Sequence, residues 1–140
     1  TEARIPFFDE IFVSINQSDD TASGFSHFYN EINTLKLIRD EIEKGKSVFS
    51  INDEIFRGTN FNDAKDCASI LIDRLKKSKN YQFILSSHFQ QLLEDVEANE
   101  IQFEQVEVLI VDGTPQFTYQ LKPGVSNIQL GAFLFRKIGF

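Results

Sequence analysis

The sequence predicts an α/β fold: a mostly parallel sheet in three layers, with an antiparallel hairpin towards the C-terminal end. Apolar stretches of strand length alternate with longer segments whose apolar residues recur every three or four positions, as in βαβ units. An Asp112-Gly113 pair between two late strand-like stretches is typical of a hairpin turn. With 140 residues, 41% of them hydrophobic, the chain has enough apolar material for one core, so we expect a single domain over residues 1–140.

The predicted elements follow from these patterns in chain order. Strands are predicted at residues 8–16, 47–52, 81–86, 101–111 and 116–121, and helices from 25 to near 45, at 62–77, at 89–95 and at 128–138. The first helix is expected to end near Gly45, because glycine readily adopts the left-handed conformation that closes a helix. The last two strands are expected to be joined by the four-residue turn 112–115.

Two adjacent carboxylates, Asp53 and Glu54, directly follow the apolar strand 47–52. A buried parallel strand delivers such side chains to the carboxyl edge of an α/β sheet. Phosphoryl-transfer enzymes use one acid there to order the magnesium shell and a neighbour to position the attacking water. The alternative is a solvated turn without a catalytic role.

Polar residues also end the next strand, at Ser86-Ser87-His88. We expect this tip to lie on the same sheet edge as Asp53 and Glu54, because parallel strands bring their carboxyl ends together. His88 could then contact a terminal phosphate or its attacking water. The alternative is a turn histidine with only local hydrogen bonds.

Two further segments have both a functional and a local interpretation. The turn at residues 57–60 could reach a second subunit, or it could simply connect strand to helix with Asn60 or Asn62 as the cap. The stretch Ser23-Gly24-Phe25-Ser26 opens the first long helix, where free amides and a hydroxyl favour an anion such as a γ-phosphate. Serine capping explains that stretch equally well.

Composition excludes several classes of protein. The net charge is −7 and the basic residues are scattered, so this chain is not expected to grip nucleic acid itself. Its one cysteine, Cys67, has apolar neighbours at helical spacing and is expected to be a structural thiol. No apolar run approaches the ~20 residues of a membrane span, and no secretory leader is present, so a cytoplasmic location is expected.

One tripeptide is similar to a phosphate-binding loop without being one, and the chain lacks methionine. The tripeptide Gly45-Lys46-Ser47 is similar to the end of a P-loop, but a P-loop requires glycine where this chain has Asp40. The chain therefore contains no P-loop. It also contains no methionine, which leads us to expect a segment of a longer polypeptide.

Several motifs together resemble the MutS ATPase domain, over residues 5–139. MutS proteins are mismatch-repair ATPases of the ABC superfamily. The matching stretches are residues 18–28 (SDDTASGFSHF), 53–59 (DEIFRGT), 87–89 (SHF) and 121–126 (LKPGVS). The resemblance implies an ABC-type P-loop NTPase fold without its P-loop strand, which in this family comes just before the point where this chain begins.

The resemblance also implies roles for individual residues. ATP and Mg²⁺ are the implied cofactors, a second copy of the ATPase domain is the implied partner, and mismatched DNA is bound by other domains. Asp53 would be the Walker B ligand of Mg²⁺, with Glu54 activating water and His88 as the switch histidine near the γ-phosphate. The implied nucleotide contacts are Gly24 and Ser26 in the signature stretch, Asn60 in the D-loop at the dimer interface, and Tyr119 near the adenine.

Four residues depart from the family pattern: Phe25, His27, Asn52 and Phe56, the last at a position that is commonly glycine. They leave open a non-catalytic interaction module built on the same fold. Another ABC-type ATPase of the chromosome-maintenance group ranks lower, because the Ser-Gly-Gly signature is not matched. The absent P-loop strand would expose one edge of strand 81–86, and we expect the hairpin or a second copy to pair there.

Overall fold

A computed structural model of the chain describes residue 2 and residues 4–15, 24–56, 58–87, 101–126, 128 and 130–139. The chain divides into two compact units, Thr1–Val96 and Glu97–Phe140. The elements are β1 (Glu10–Ser14), α1 (Gly24–Glu43), β2 (Val48–Asn52), α2 (Phe61–Leu75), β3 (Tyr81–Leu85), β4 (Glu104–Val111), β5 (Thr114–Pro123) and α3 (Leu130–Lys137).

The first unit is built on a parallel sheet in the order β1-β2-β3. Ser14, Asn52 and Leu85 are partners across the sheet, so the three strands end at the same level. The carboxyl ends of β2 and β3 therefore lie side by side, as the sequence predicted. This alignment positions the residues that follow each strand.

One face of this sheet is covered by both helices. Alternate residues of β2, namely Val48, Ser50 and Asn52, are buried, in keeping with the two-residue period of a strand. Val48 belongs to a core cluster with Ile38 of α1 and Leu75 of α2. A second cluster joins the segment after β2 to Ala64 and Ala68 of α2, with apolar side chains of α1 packed against it.

The opposite face of the sheet remains apolar and open among the described residues. Ile11 and Val13 of β1 and Ile84 of β3 are each more than half exposed. The predicted third layer is thus not formed by the described residues of this unit, where the sheet and its two helices make two layers. The predicted helix at 89–95 lies outside the described residues.

The second unit contains the predicted hairpin and the last helix. The turn between β4 and β5 has only two residues, Asp112 and Gly113, whose φ angles are 51° and 66°. Positive φ at both positions matches a type I′ turn, the type whose twist suits a two-residue hairpin. The expected four-residue turn was therefore too long, because Thr114 and Pro115 already pair with β4.

The expected pairing of the hairpin with the edge of β3 stays a prediction. The described strands form two separate sheets, one of three strands and one made only of β4 and β5. Within its own sheet β3 pairs only with β2, so β3 is an edge strand among the described residues. Pairing of that edge with a second copy stays a prediction.

The first strand is shorter than the predicted range 8–16. The chain leaves the ladder at Asp9, whose amide donates to the carbonyl oxygen of Ser47 at 2.9 Å and whose carboxylate accepts from the Ser47 amide at 2.8 Å. The Phe8 ring instead stacks on Phe49, with 5.2 Å between ring centroids. Side-chain bonding at this end replaces the strand pairing that the apolar pattern suggested.

Candidate active site

The residues that follow β2 and β3 are bonded to neighbouring strands at the carboxyl edge of the sheet. The Asp53 amide donates to the carbonyl oxygen of Ser14 at 2.8 Å, and the Ser86 amide donates to that of Asn52 at 3.0 Å. The ladder thus continues one residue beyond each strand. It fixes the backbone from which the Asp53 and Ser86 side chains project.

Ser86 connects the two acidic residues. Its hydroxyl donates to Asp53 Oδ1 at 2.5 Å and accepts from the Glu54 amide at 2.9 Å. The sequence placed the polar tip of the third strand beside Asp53 and Glu54, and this holds for Ser86. His88 lies outside the described residues.

The backbone turns sharply after Asp53. Glu54 and Phe56 have φ angles of 48° and 63°, in the left-handed region that favours glycine. Phe56 is nevertheless buried, and its ring lies against that of Phe28 in α1, with centroids 6.1 Å apart. Burial of this large ring offsets the backbone strain, which gives the departure at Phe56 a structural basis.

The departure at Asn52 also has a structural explanation. Asn52 is buried and its side-chain amide donates to the Ser50 hydroxyl at 2.8 Å. Ser50 in turn shares a short hydrogen bond with the Tyr81 hydroxyl. Each of the three polar side chains thereby has a partner inside the core, as buried polar groups require.

The turn that carries Asp53 and Glu54 after β2 is called the acidic corner below. A buried carboxylate that the sequence reasoning missed lies beside it. Glu31 of α1 is only 9% exposed and lines a small cavity together with Asn52, Asp53 and other residues. Burial raises the pKa of its carboxyl, while His27, whose Nδ1 lies 3.7 Å from Oε1, and the N–H of Phe56 act in the opposite direction. The one signal available was the position of Glu31 on the helix face that carries Phe28 and Leu35.

The signature stretch opens α1, because the helix begins at Gly24. That start agrees with the sequence-based prediction. The side chains of Phe25 and Ser26 lie outside the described part of the chain, and the implied nucleotide contacts of Gly24 and Ser26 stay predictions. His27, another departure from the family pattern, is paired with Glu31 as described above.

Asn60 is the N-cap of α2. Its Oδ1 accepts from the Asp63 amide at 3.0 Å and its Nδ2 donates to Asp63 Oδ2 at 2.5 Å. Of the two capping candidates, Asn60 is therefore the cap and Asn62 is the second residue of the helix. This local role stands whether or not Asn60 also contacts a second subunit.

Tyr119 belongs to the second unit, where it lies in an irregular part of β5. The register shifts between Val106 and Val108 of β4, opposite a bulge that includes Tyr119. Tyr119 has a φ of 57° and is 88% exposed. The Thr118 hydroxyl supports the bulge by donating to the carbonyl oxygen of Glu107 at 3.2 Å. The bulge thus presents the tyrosine ring to solvent.

Lys46, in the P-loop-like tripeptide, forms ion pairs at the end of the sheet opposite the acidic corner. Its Nζ lies 2.6 Å from Glu10 Oε1 and 2.6 Å from Glu41 Oε2, at the amino ends of β1 and β2. Gly45 has a φ of 82° and closes α1. The tripeptide is therefore a helix stop with an ion pair.

The chemistry of the acidic corner fits magnesium better than a softer metal. Asp53 and Glu54 offer carboxylate oxygens, and Mg²⁺ is commonly held by one or two carboxylates together with phosphate oxygens and water. Among the described residues, no three His, Cys, Asp or Glu side chains form a group that could hold a metal alone. Cys67 is half-buried and its thiol pKa is raised by burial, which agrees with a structural thiol.

The sequence matches the family model of MutS domain V over residues 1–139. It is 27% identical to the DNA mismatch repair protein MutS of Halalkalibacterium halodurans over 139 residues, covering 99% of this chain and 16% of that protein. The MutS of Bacillus velezensis is 30% identical over 132 residues, covering 93% of this chain and 15% of the relative. For the MutS of Pelotomaculum thermopropionicum, identity is 37% over 90 residues, covering 64% of this chain and 10% of the relative.

The match to the Halalkalibacterium halodurans protein covers nearly all of this chain but only 16% of that MutS protein. In the described part of the chain, no helix is both long and apolar enough to cross a membrane. The match over residues 1–139 includes the acidic corner and the hairpin. This chain belongs to the MutS family, and it matches MutS domain V over residues 1–139.

Proposed function

We propose that this chain is the C-terminal part of the ATPase domain of a MutS-like DNA mismatch repair protein. In the intact protein, ATP binding and hydrolysis would be coupled to the binding of mismatched DNA by other domains. The ABC-type P-loop NTPase fold is part of this proposal. So are a cytoplasmic location and the pairing of the domain with a second copy of itself.

The observation that carries the proposal is the arrangement of Asp53, Glu54 and Ser86. Two carboxylates follow one parallel strand, and a hydroxyl on the neighbouring strand joins the side chain of the first to the backbone of the second. A solvated turn does not require this cross-strand bridge. A phosphoryl-transfer site of the proposed kind uses one acid for the metal and a second for the attacking water, held in a fixed relationship at the carboxyl edge.

Each acid has a distinct role in this proposal. Asp53 would hold Mg²⁺, which supplies positive charge to phosphate oxygens when it is bound. Glu54 would orient the attacking water and accept its proton. The Ser86 hydroxyl would keep Asp53 in place.

The remaining roles follow from family membership. His88 would contact the γ-phosphate, and Gly24 and Ser26 would contact the nucleotide bound by the second copy. Asn60 would lie at the interface between copies while capping α2, and the exposed ring of Tyr119 would lie near the adenine. Base stacking needs an exposed aromatic face, which Tyr119 has.

The chain itself carries no P-loop sequence. P-loop amides and lysine hold the β- and γ-phosphates, so the intact protein must supply them from another segment. The presence of GxxxxGK[ST] in the intact polypeptide would support the ATPase. A degenerate version would favour the non-catalytic interaction module.

The decisive experiment uses the intact protein with Glu54→Gln. The amide cannot accept a proton from water, so the variant should bind ATP with unchanged affinity and lose at least ~100-fold in single-turnover hydrolysis. Asp66→Asn, on the exposed part of α2, is the matched control and should hydrolyse ATP normally. Unchanged hydrolysis by Glu54→Gln would remove this residue from the proposed role.

A further inference from the structure

Glu31 carries a buried carboxylate oxygen without a partner. The residue is only 9% exposed, and its Oε2 has no hydrogen-bond partner among the described residues. The other oxygen, Oε1, lies 3.7 Å from His27 Nδ1. A buried carboxylate oxygen that meets neither a donor nor a cation costs free energy, so such an oxygen points to a ligand.

Glu31 lines a small cavity between α1 and the carboxyl ends of β1 and β2. The other polar residues of the cavity wall are Ser14, Thr34, Asn52 and Asp53. The cavity volume is about 10 Å³, measured for the centre of a water-sized sphere, which leaves room for one water molecule or one unhydrated ion. The cavity is therefore too small for an organic ligand.

The wall of this cavity offers mostly acceptor oxygens. The Thr34 hydroxyl already donates its proton to a carbonyl oxygen one turn earlier in α1, at 3.1 Å, and the Asn52 amide donates to the Ser50 hydroxyl at 2.8 Å. Glu31 and Asp53 add carboxylates, which only accept when they are ionised. A water molecule would donate to two of these oxygens but leave the charge of the buried carboxylate uncompensated. A cation meets both needs.

The size and the ligands of the cavity favour an alkali cation. Mg²⁺ loses its water shell reluctantly and usually keeps several waters, which a cavity for one molecule cannot accommodate. Zn²⁺ sites are built from groups of His, Cys, Asp or Glu, and no three such side chains form a group among the described residues. Na⁺ and K⁺ carry a single charge, and neutral oxygens can replace their hydration shell beside a carboxylate.

We propose that the cavity beside Glu31 binds one unhydrated alkali cation, Na⁺ or K⁺, through the Glu31 carboxylate and oxygens of Ser14, Thr34, Asn52 and Asp53. Burial raises the pKa of the Glu31 carboxyl, and the bound ion would favour its ionised form. Because Asp53 shares the cavity wall, the ion also brings positive charge to the acidic corner. The site does not depend on the catalytic roles proposed for Asp53 and Glu54.

The site can be tested in the full 140-residue chain by methyl NMR at constant ionic strength. KCl or NaCl replaces tetramethylammonium chloride, whose cation is too large for the cavity. Thr34, Leu35 and Ile55 line the cavity, and their methyl signals should show shifts that saturate in the millimolar range of K⁺ or Na⁺. Ile70, on the exposed part of α2, should not shift. The ion with the lower half-saturation concentration is the preferred occupant.

Two variants connect these shifts to the carboxylate. Glu31→Gln removes the charge at nearly constant volume and should raise the half-saturation concentration at least tenfold. Glu43→Gln makes the same change at an exposed position of α1 and should leave the titration unchanged. Equal titrations of Glu31→Gln and the unmodified chain overturn the proposal.

The unmodified chain alone also decides the matter, even if Glu31→Gln does not fold. Cavity methyl signals that do not respond to Na⁺ or K⁺ would leave only water in the cavity and overturn the proposal. Shifts that appear equally at Ile70 would show a general salt effect and also overturn it. Binding to the folded state should raise Tm in KCl or NaCl by at least about 2 °C over tetramethylammonium chloride at equal ionic strength.

Discussion

The hydroxyl of Ser86 and the carboxylate of Asp53 form a 2.5 Å hydrogen bond between adjacent strand ends. The donor follows β3 and the acceptor follows β2, so the bond exists only when the parallel sheet is correctly formed. Ser86 also accepts from the Glu54 amide. A single small side chain thus fixes both acids.

Replacement of this serine should weaken the acidic corner. We expect Ser86→Ala to lower the free energy of unfolding by about 1 kcal/mol, because a hydrogen bond to a carboxylate and one from an amide are lost. Urea unfolding followed by circular dichroism measures this change. Ser78→Ala is the control, since that hydroxyl donates only a long hydrogen bond of 3.4 Å, to the Arg74 carbonyl oxygen. Equal stability losses in both variants would contradict a special role for Ser86.

The cap of α2 gives a second test. Asn60→Ala removes the acceptor of the Asp63 amide and should cost about 1 kcal/mol of stability, whereas Asn60→Ser should cost little. Asn62→Ala is the matched control, because Asn62 lies inside the helix, where alanine is favourable. Thermal unfolding of the three variants gives the ranking. A larger loss from Asn62→Ala would show that the cap is misassigned.

The first strand has a pH-dependent anchor at Asp9. Hydrogen bonds from the amide and hydroxyl of Ser47 lower the pKa of the Asp9 carboxyl below its ordinary 3.8. A carboxyl with a lowered folded-state pKa stabilises the fold above its ordinary pKa, and this contribution disappears as pH falls through the lowered value. Asp9→Asn should therefore lower Tm at neutral pH and reduce the decline of Tm below about pH 4. An unchanged decline in the variant would exclude this anchor.

Lys46 provides a salt-dependent anchor at the opposite end of the sheet from the acids. It lies 2.6 Å from both Glu10 and Glu41, and those contacts raise its pKa. Lys46→Met should lower Tm at low salt and make Tm less sensitive to added NaCl, because salt screens exposed charge pairs. Lys36→Met on exposed α1 is the control. The same NaCl dependence in the Lys46 variant and the unmodified chain would rule out the ion pair as a contributor.

The chain alone should neither bind nor hydrolyse ATP appreciably. Phosphate-binding P-loop contacts provide much of the orientation in phosphoryl transfer, and this sequence has none. Titration of a fluorescent ATP analogue with Mg²⁺ should show no saturation in the micromolar range. Micromolar binding would show that this chain binds nucleotide without a P-loop.

Local patterns predicted most of the elements but not their long-range contacts. Apolar residues at every second position predicted the strands, and apolar residues at every third or fourth position predicted both long helices. Burial of one face of an element imposes these periods. Asp112-Gly113 gave the hairpin, although the turn is shorter than expected. The acids and the tip at Ser86 were placed together by the geometry of parallel strands alone.

What the patterns could not predict depends on side chains that meet only in the fold. Glu31 has the sequence pattern of one more polar residue of an amphipathic helix, and its burial beside Asn52 and Asp53 is evident only in the folded chain. In the sequence, Asn52 only departs from an expected apolar residue. In the fold, it donates a hydrogen bond to Ser50, which in turn is bonded to Tyr81. The strand pattern of the hairpin also does not specify which edge its strands will join.

The buried hydrogen bond between Tyr81 and Ser50 makes this chain convenient for optical work. The chain has no tryptophan and three tyrosines, so near-ultraviolet absorption is dominated by tyrosine. Tyr29 and Tyr119 are mostly exposed, while Tyr81 is only 7% exposed. The tyrosine absorption shift on denaturation therefore comes mainly from the Tyr81 ring, which begins β3 and belongs to the core cluster of the first unit. It gives an intrinsic, label-free probe of that unit alone.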